Sequence, residues 1–220
     1  MGGDFHVSFR ISQNRVLFAV FDIAGRHKQN RKIIETAQDT FRSLGKHLLT
    51  RDEVNEVDAM IEICLQLNLA IIQAAGGVCS SPAFSGCYNE TLGTVCYFNA
   101  GHTPGLLKHS MGITELKATS LPLGLFSHFT PDASIMALEP GATLLLVSRG
   151  TVEARRKAEE FGLDRVKENL KRHMTHDAGQ VCAGLLKDLQ HFTHSRATSN
   201  DVTILALCRA AAAQAQAAKR

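Results

Sequence analysis

Short apolar runs with strand character come in blocks in this chain, and stretches of helical period come in pairs between the blocks. That order argues for an α+β fold in which helices layer on antiparallel sheets. The first block is a hairpin over Met1–Phe21. Phe5, Val7, Phe9 and Ile11 alternate with polar residues, and Ser12-Gln13-Asn14-Arg15 supply the turn. A helix pair follows, over Lys28–Leu48 and Glu53–Ala75. Ile33, Ala37, Phe41, Leu44 and Leu48 mark the apolar face of the first, and Val57, Met60, Cys64, Leu67 and Ile71 that of the second. Gly76-Gly77 stops the second helix.

Strands are then expected over Val78–Tyr88, Thr94–Asn99, Gly105–His109 and Ile113–Leu116. Ser134–Leu138 and Thr143–Ser148 are expected to pair with each other through the turn Glu139-Pro140-Gly141. Helices are expected over Thr151–Glu159, Leu163–His173 and Ala178–Thr193, and a last strand over Val202–Cys208.

Two strand ends carry the chemistry. Val16–Phe21 runs into Asp22-Ile23-Ala24-Gly25, and Leu144–Val147 runs into Ser148-Arg149-Gly150. Two strands delivering carboxylates to one edge would make a site for a hard divalent cation. Here one delivers a carboxylate and the other a guanidinium, which is permanently positive and cannot be a ligand. An ion pair of Arg149 with Asp22, and further with Asp4 or Asp201, is the arrangement expected to neutralise the acidic cluster.

Composition sets the bounds. An apolar fraction of 45% and a charged fraction of 20% are ordinary for a globular domain. The net charge of +3 is too small to imply a nucleic-acid partner. No run approaches 18 apolar residues and no signal peptide stands at the start, so no membrane segment is expected, and a cytoplasmic location is. Six cysteines stand singly with no C-x-x-C pair, as reduced core thiols do. Basic residues cluster at Arg26–Lys32 and Arg155–Lys157, as solvated helix starts or as a rim for a phosphorylated protein surface.

Five segments in order resemble the SpoIIE-like branch of the PPM family, the metal-dependent serine/threonine protein phosphatases. They are Gly2-Gly3-Asp4-Phe5; Phe21-Asp22-Ile23-Ala24-Gly25; Asn99-Ala100-Gly101-His102-Thr103-Pro104-Gly105-Leu106-Leu107; Leu121-Pro122-Leu123-Gly124-Leu125 with Leu138-Glu139-Pro140-Gly141; and Ser148-Arg149-Gly150 with Asn200-Asp201-Val202-Thr203. The resemblance implies the PPM-type sandwich, two antiparallel β-sheets flanked by helix pairs. It implies one domain over residues 1–208, with an Ala-rich tail at 209–220. It also implies an N-terminal edge that continues upstream into a strand, helix or sensor domain.

By the same resemblance, Asp22 and the Ile23 carbonyl are metal ligands, and Asp4 holds a water on the ion. The family's (T/S)-D-G aspartate is replaced by Arg149. The first aspartate of its D-D-(I/M/V)-T motif is replaced by Asn200, a weaker neutral donor. Val7 stands where a second aspartate is usual. Arg26 and His27 replace the end of the second motif. Asp22, Asp4, Arg149 and Arg26 are therefore the candidate catalytic positions, and Asp22, Ile23, Asp4 and Asn200 the candidate metal positions. The site is expected to be weakened for Mn or Mg, or left without metal. His102 is read as part of a strand and turn rather than as a catalytic base, because no G-x-S-x-G elbow accompanies it.

Two functions remain open. One is a weak or inactive pseudophosphatase acting as a regulatory, protein-binding module in bacterial signalling. The other is a Mn- or Mg-dependent phosphoserine/phosphothreonine phosphatase, with Arg149 or Arg26 clamping phosphoryl oxygens. The expected partner in both is a STAS-type anti-sigma-factor antagonist, with an upstream sensor domain as a further partner.

Overall fold

A computed structural model describes residues 3–24, 27–51, 53–172, 177–194 and 200–211. Its chain divides into two compact units, residues 1–103 with 117–137, and residues 104–116 with 138–220.

The first unit is built on a five-stranded antiparallel sheet. Its strands are β1 (Asp4–Arg10), β2 (Arg15–Asp22), β3 (Ala83–Asn89), β4 (Thr94–Ala100) and β7 (Ser134–Ala137), in the order β1-β2-β3-β4-β7. Burial follows position in the sheet. The inner strands β2, β3 and β4 are buried almost throughout, while the edge strands β1 and β7 alternate inward and outward. Val7 sits in the core at 3% exposure.

Helices α1 (His27–Leu49) and α2 (Glu56–Ala75) pack on each other and on this sheet. The Asn55 side chain caps α2 by accepting from the Val57 and Asp58 amides, and Gly76 closes it in the left-handed conformation. Helix α2 is long and apolar enough, by length and composition, to cross a membrane. Its apolar face is accounted for by the core: Met60, Ile63, Cys64, Leu67 and Ile71 are fully buried against the sheet cluster. It also carries buried Glu56, which Arg15 meets at 2.6 Å, and buried Asn68, which binds the Phe126 carbonyl and the Gly124 amide.

The second unit holds a four-stranded antiparallel sheet of β5 (Gly105–His109), β6 (Gly112–Leu116), β8 (Thr143–Val147) and β11 (Ile204–Cys208), in the order β11-β8-β5-β6. Helices α4 (Gly162–Arg172) and α5 (Ala178–Phe192) cover it. Their core joins Leu145 and Val147 of β8 to Val166, Leu170, Leu185 and Leu189. The α+β class and its antiparallel sheets with helix pairs agree with the sequence reading.

Two local expectations are corrected. The strands on either side of Glu139-Pro140-Gly141 do not form a hairpin. The turn exists, with the Ala142 amide donating to the Glu139 carbonyl, but β7 pairs with β4 and β8 pairs with β5 and β11. The wholly buried β8 takes the interior of one sheet, while alternating β7 finishes the edge of the other.

Residues 151–159 are not one helix. A single turn, α3 (Arg149–Val152), gives way to a small hairpin of β9 (Arg155–Arg156) and β10 (Glu159–Glu160). Lys157, at φ 59°, opens its two-residue turn in the left-handed region. Arg156 faces Glu159 and Arg155 faces Glu160, so the basic cluster here is a salt-bridged hairpin rather than a helix start.

Candidate active site

The last residue of β2 and the first of β1 are both aspartates, and the register sets Asp4 opposite Asp22. Directly opposed residues of an antiparallel pair share one face, so the two carboxylates are presented together. Asp22 is buried at 7% exposure, and its amide donates to the Pro82 carbonyl at 2.9 Å. Ile23 follows at 1% exposure.

The Ile23 carbonyl lies close against Gly3, where an added Cβ would fall 2.2 Å from its oxygen. Only a residue without a side chain allows that approach. Asn30 of α1 donates to the Ala24 carbonyl at 2.8 Å and reaches the Ile23 carbonyl at 3.5 Å. Asn30 thus anchors the turn after β2, a role that motif reading alone does not reveal. Arg26 lies outside the described residues, as does the side chain of His27.

The Asn99-Ala100-Gly101-His102 stretch ends β4 at the same edge of the sheet. Phe21 pairs with Ala83, and Ala83 bridges to Gly101, so His102 stands two strands away from Asp22 at matching height. Asn99 shapes the turn by accepting from the His102 amide at 2.9 Å through its side chain, and from the Thr119 amide through its carbonyl. The His102 ring is 5% exposed, with Nδ1 at 3.1 Å from the Thr103 carbonyl. Its Nε2 is buried and meets no hydrogen-bond partner among the described residues. Burial pushes the imidazole below its ordinary value, against the Thr103 carbonyl and the Asp22 carboxylate, which both favour the charged form.

In the second unit, the turn after β8 packs on the segment that enters β11. Ser148 is fully buried; its hydroxyl donates to the Asp201 carbonyl at 3.2 Å and accepts from the Thr203 amide at 3.0 Å. An added Cβ on Gly150 would fall 2.0 Å from the Asp201 carbonyl oxygen and 3.1 Å from the Asn200 Cβ. The two turns that carry Arg149 and Asn200 are therefore in direct contact. Arg149 itself is exposed, with Nε at 4.0 Å from Glu153. The expected ion pair of Arg149 with Asp22 joins residues of the two different units.

The donors of the first unit fit one divalent cation. Two opposed carboxylates and an adjacent carbonyl are oxygen donors of the kind that hold Mg or Mn with waters completing the shell. Among the described residues no three His, Cys, Asp or Glu side chains gather as a ready cage, so such an ion would rest on few protein donors. Position 149 offers a guanidinium, which cannot be a ligand, and position 200 an amide, whose oxygen is only a neutral donor.

A family profile described as Stage II sporulation protein E (SpoIIE) matches residues 12–210. The protein IcfG of Synechocystis sp. is 33% identical over 89 residues, which are 40% of this chain and 14% of IcfG. The SiaA-PP2C domain of Pseudomonas aeruginosa superposes with a TM-score of 0.78 at 18% identity, over 94% of this chain and 80% of that one. The RsbU and RsbW domains of Rv1364c from Mycobacterium tuberculosis give 0.75 at 20% identity, over 96% of this chain and 57% of theirs. At such identities the solved structures speak for the fold.

Proposed function

The chain belongs to the SpoIIE family of PPM-fold phosphatase domains, and on that premise we propose that it is a pseudophosphatase, weak or inactive, acting as a regulatory protein-binding module in bacterial signalling. The observation that carries this reading is the pair of turns in the second unit. Ser148, Gly150 and Asp201 keep close backbone packing, while the side chains presented there are Arg149 and Asn200 instead of two carboxylates. Two closely packed turns that present a guanidinium and an amide suit binding better than turnover.

In this reading residues 1–208 act as one domain in the cytoplasm, followed by the tail at 209–220. Its partner is a phosphoprotein of the STAS-type anti-sigma-antagonist class, with a sensor domain upstream. Asp22, the Ile23 carbonyl and Asp4 retain a weak place for one Mn or Mg. Bound there, an ion would supply positive charge to a phosphoryl group. The chain's own residues hold the carboxylates opposite each other and keep the Ile23 carbonyl in place through Asn30. Arg149 and Arg26 are the proposed phosphoryl-facing cations.

The second reading, an active single-ion phosphatase, draws on the opposed Asp4 and Asp22. Phosphoserine hydrolysis by wild type separates the two, and a thermal-shift titration with Mn tests position 149. Arg149→Asp should bind Mn more tightly than wild type; an unchanged titration would count against the proposed role of position 149.

A further inference from the structure

Among the described residues, only Lys157 and His194 hold φ in the left-handed region without being glycine, at 59° and 52°. Each stands where the backbone favours a residue with no Cβ. Lys157 opens the two-residue turn between β9 and β10, a position that suits glycine. His194 follows Thr193, which ends α5, at the position where helices commonly close on a left-handed glycine. A glycine would relieve the strain at either place. Both residues line one cavity of about 490 Å3 between the hairpin turn and the end of α5, and all of its lining belongs to the second unit. Strain held by two side chains of the same cavity points to a use for those side chains.

The walls carry a surplus of positive charge. Arg155 and Arg156 line the cavity beside Lys157. Arg155 pairs with Glu160, while Arg156 and Arg165 share Glu159. Two carboxylates thus serve three guanidiniums, and Lys157 makes no ion pair among the described residues. Phe192 holds the arrangement in place, with the Arg156 and Arg165 guanidiniums 5.0 and 4.8 Å from its ring centroid. Guanidiniums held in this way have little rotamer freedom left to lose when an anion binds. The C-terminal end of α5 brings about half a negative charge, less than the full charge of Lys157.

We propose that this cavity docks a phosphorylated serine or threonine segment of a protein partner, with Lys157, Arg155 and Arg156 meeting the phosphoryl oxygens and His194 as a further donor. A phosphoryl group carries close to two negative charges and accepts through three oxygens, which suits several cationic donors around one cavity. The volume has room for flanking peptide as well as the phosphoryl group. No metal and no residue of the first unit is needed. The inference rests on the protein-binding reading above for the kind of partner.

The experiment is fluorescence anisotropy of the full chain, in chelator, with a labelled pool of random-sequence phosphoserine peptides, the same pool unphosphorylated, and inorganic phosphate as competitor. The phosphorylated pool should bind about tenfold more tightly than the unphosphorylated one, and less tightly as salt rises. Lys157→Gly and His194→Gly separate binding from folding. Each should raise the melting temperature by about 2–4 °C as strain is released, and each should weaken phosphopeptide binding by about tenfold. A protein that melts higher and binds less has not lost binding through misfolding. Equal binding of the two pools, or glycine variants that bind like wild type, would overturn the proposal. Inorganic phosphate that competes as well as the peptides do would overturn the peptide as occupant. Binding that survives both glycine variants but is lost in Arg149→Ala would overturn the role of this cavity and leave the proposed function standing.

Discussion

Asp4 and Asp22 face each other across the β1–β2 pair, at the point where the sheet ends. Like charges directly opposed across a ladder destabilise a sheet by about 0.2–1 kcal/mol. In chelator, Asp22→Asn is expected to raise the melting temperature slightly, and the same variant should lose any stabilisation by Mn. A variant that melts lower in chelator and still responds to Mn would show that these carboxylates are structural.

The buried Arg15–Glu56 pair ties β2 to the start of α2. The Arg15 Nε lies 2.6 Å from Glu56, Asn89 donates to the same carboxylate at 2.8 Å, and the two charged side chains are 7% and 9% exposed. Arg15→Ala strands the Glu56 charge and should cost about 3–5 kcal/mol in urea denaturation. Glu56→Gln keeps the hydrogen-bonding shape and should cost less than Glu56→Ala. A loss under about 1 kcal/mol for Arg15→Ala would mean that water reaches the carboxylate.

Gly150 is fixed by contact rather than by conformation. Its missing Cβ is the space occupied by the Asp201 carbonyl. Gly150→Ala must push the two turns apart, at about 1–3 kcal/mol, measurable as a shift of the urea midpoint. The displacement should also weaken whatever binds beside Arg149 and Asn200.

Burial pushes the thiols of Cys64, Cys87 and Cys96 up to about 12. Those three should resist iodoacetamide in the folded protein and react once urea unfolds it, as peptide mass spectrometry would show. Modification of any of them under native conditions would mean that the first unit opens locally.

His102 gives stability a pH dependence in metal-free protein. Its folded value is lowered from the ordinary 6.5. Below about 6.5 the unfolded chain binds a proton that the folded one refuses, so stability is lost as pH falls from there towards the folded value. His102→Gln should lose less stability than wild type between about pH 7.5 and 5.5. Equal losses would mean that other groups set the acid limb.

The sequence was most legible where one residue type has one structural use. The alternation of β1, the helical faces of α1 and α2, and the strand ends at Asp22 and Ser148 all appear in the structure within a few residues of expectation. Pairing was less legible. A turn at Glu139-Pro140-Gly141 says that the chain reverses, not which strand lies beside it, and β7 finds its partner in Thr94–Tyr97.

The stretch Arg155–Glu160 has good helix formers throughout. It folds as a hairpin because opposed Arg and Glu pair across it and Arg156 lies over the Phe192 ring. Motif order singled out Asp4 and Asp22, which the sheet register sets opposite each other, and Arg149 and Asn200, whose turns touch in the second unit. The burial of the His102 ring, with Nε2 meeting no hydrogen-bond partner among the described residues, was invisible, since it follows from tertiary packing, which no local pattern encodes.

The most direct measurement is Mn-dependent hydrolysis of a phosphoserine protein by wild type and by the Arg149→Asp/Asn200→Asp double variant. The account predicts an inert or very slow wild type and Mn-dependent turnover gained by the double variant. Robust turnover by wild type, abolished by Asp22→Ala, would contradict it and make the chain a working single-ion phosphatase.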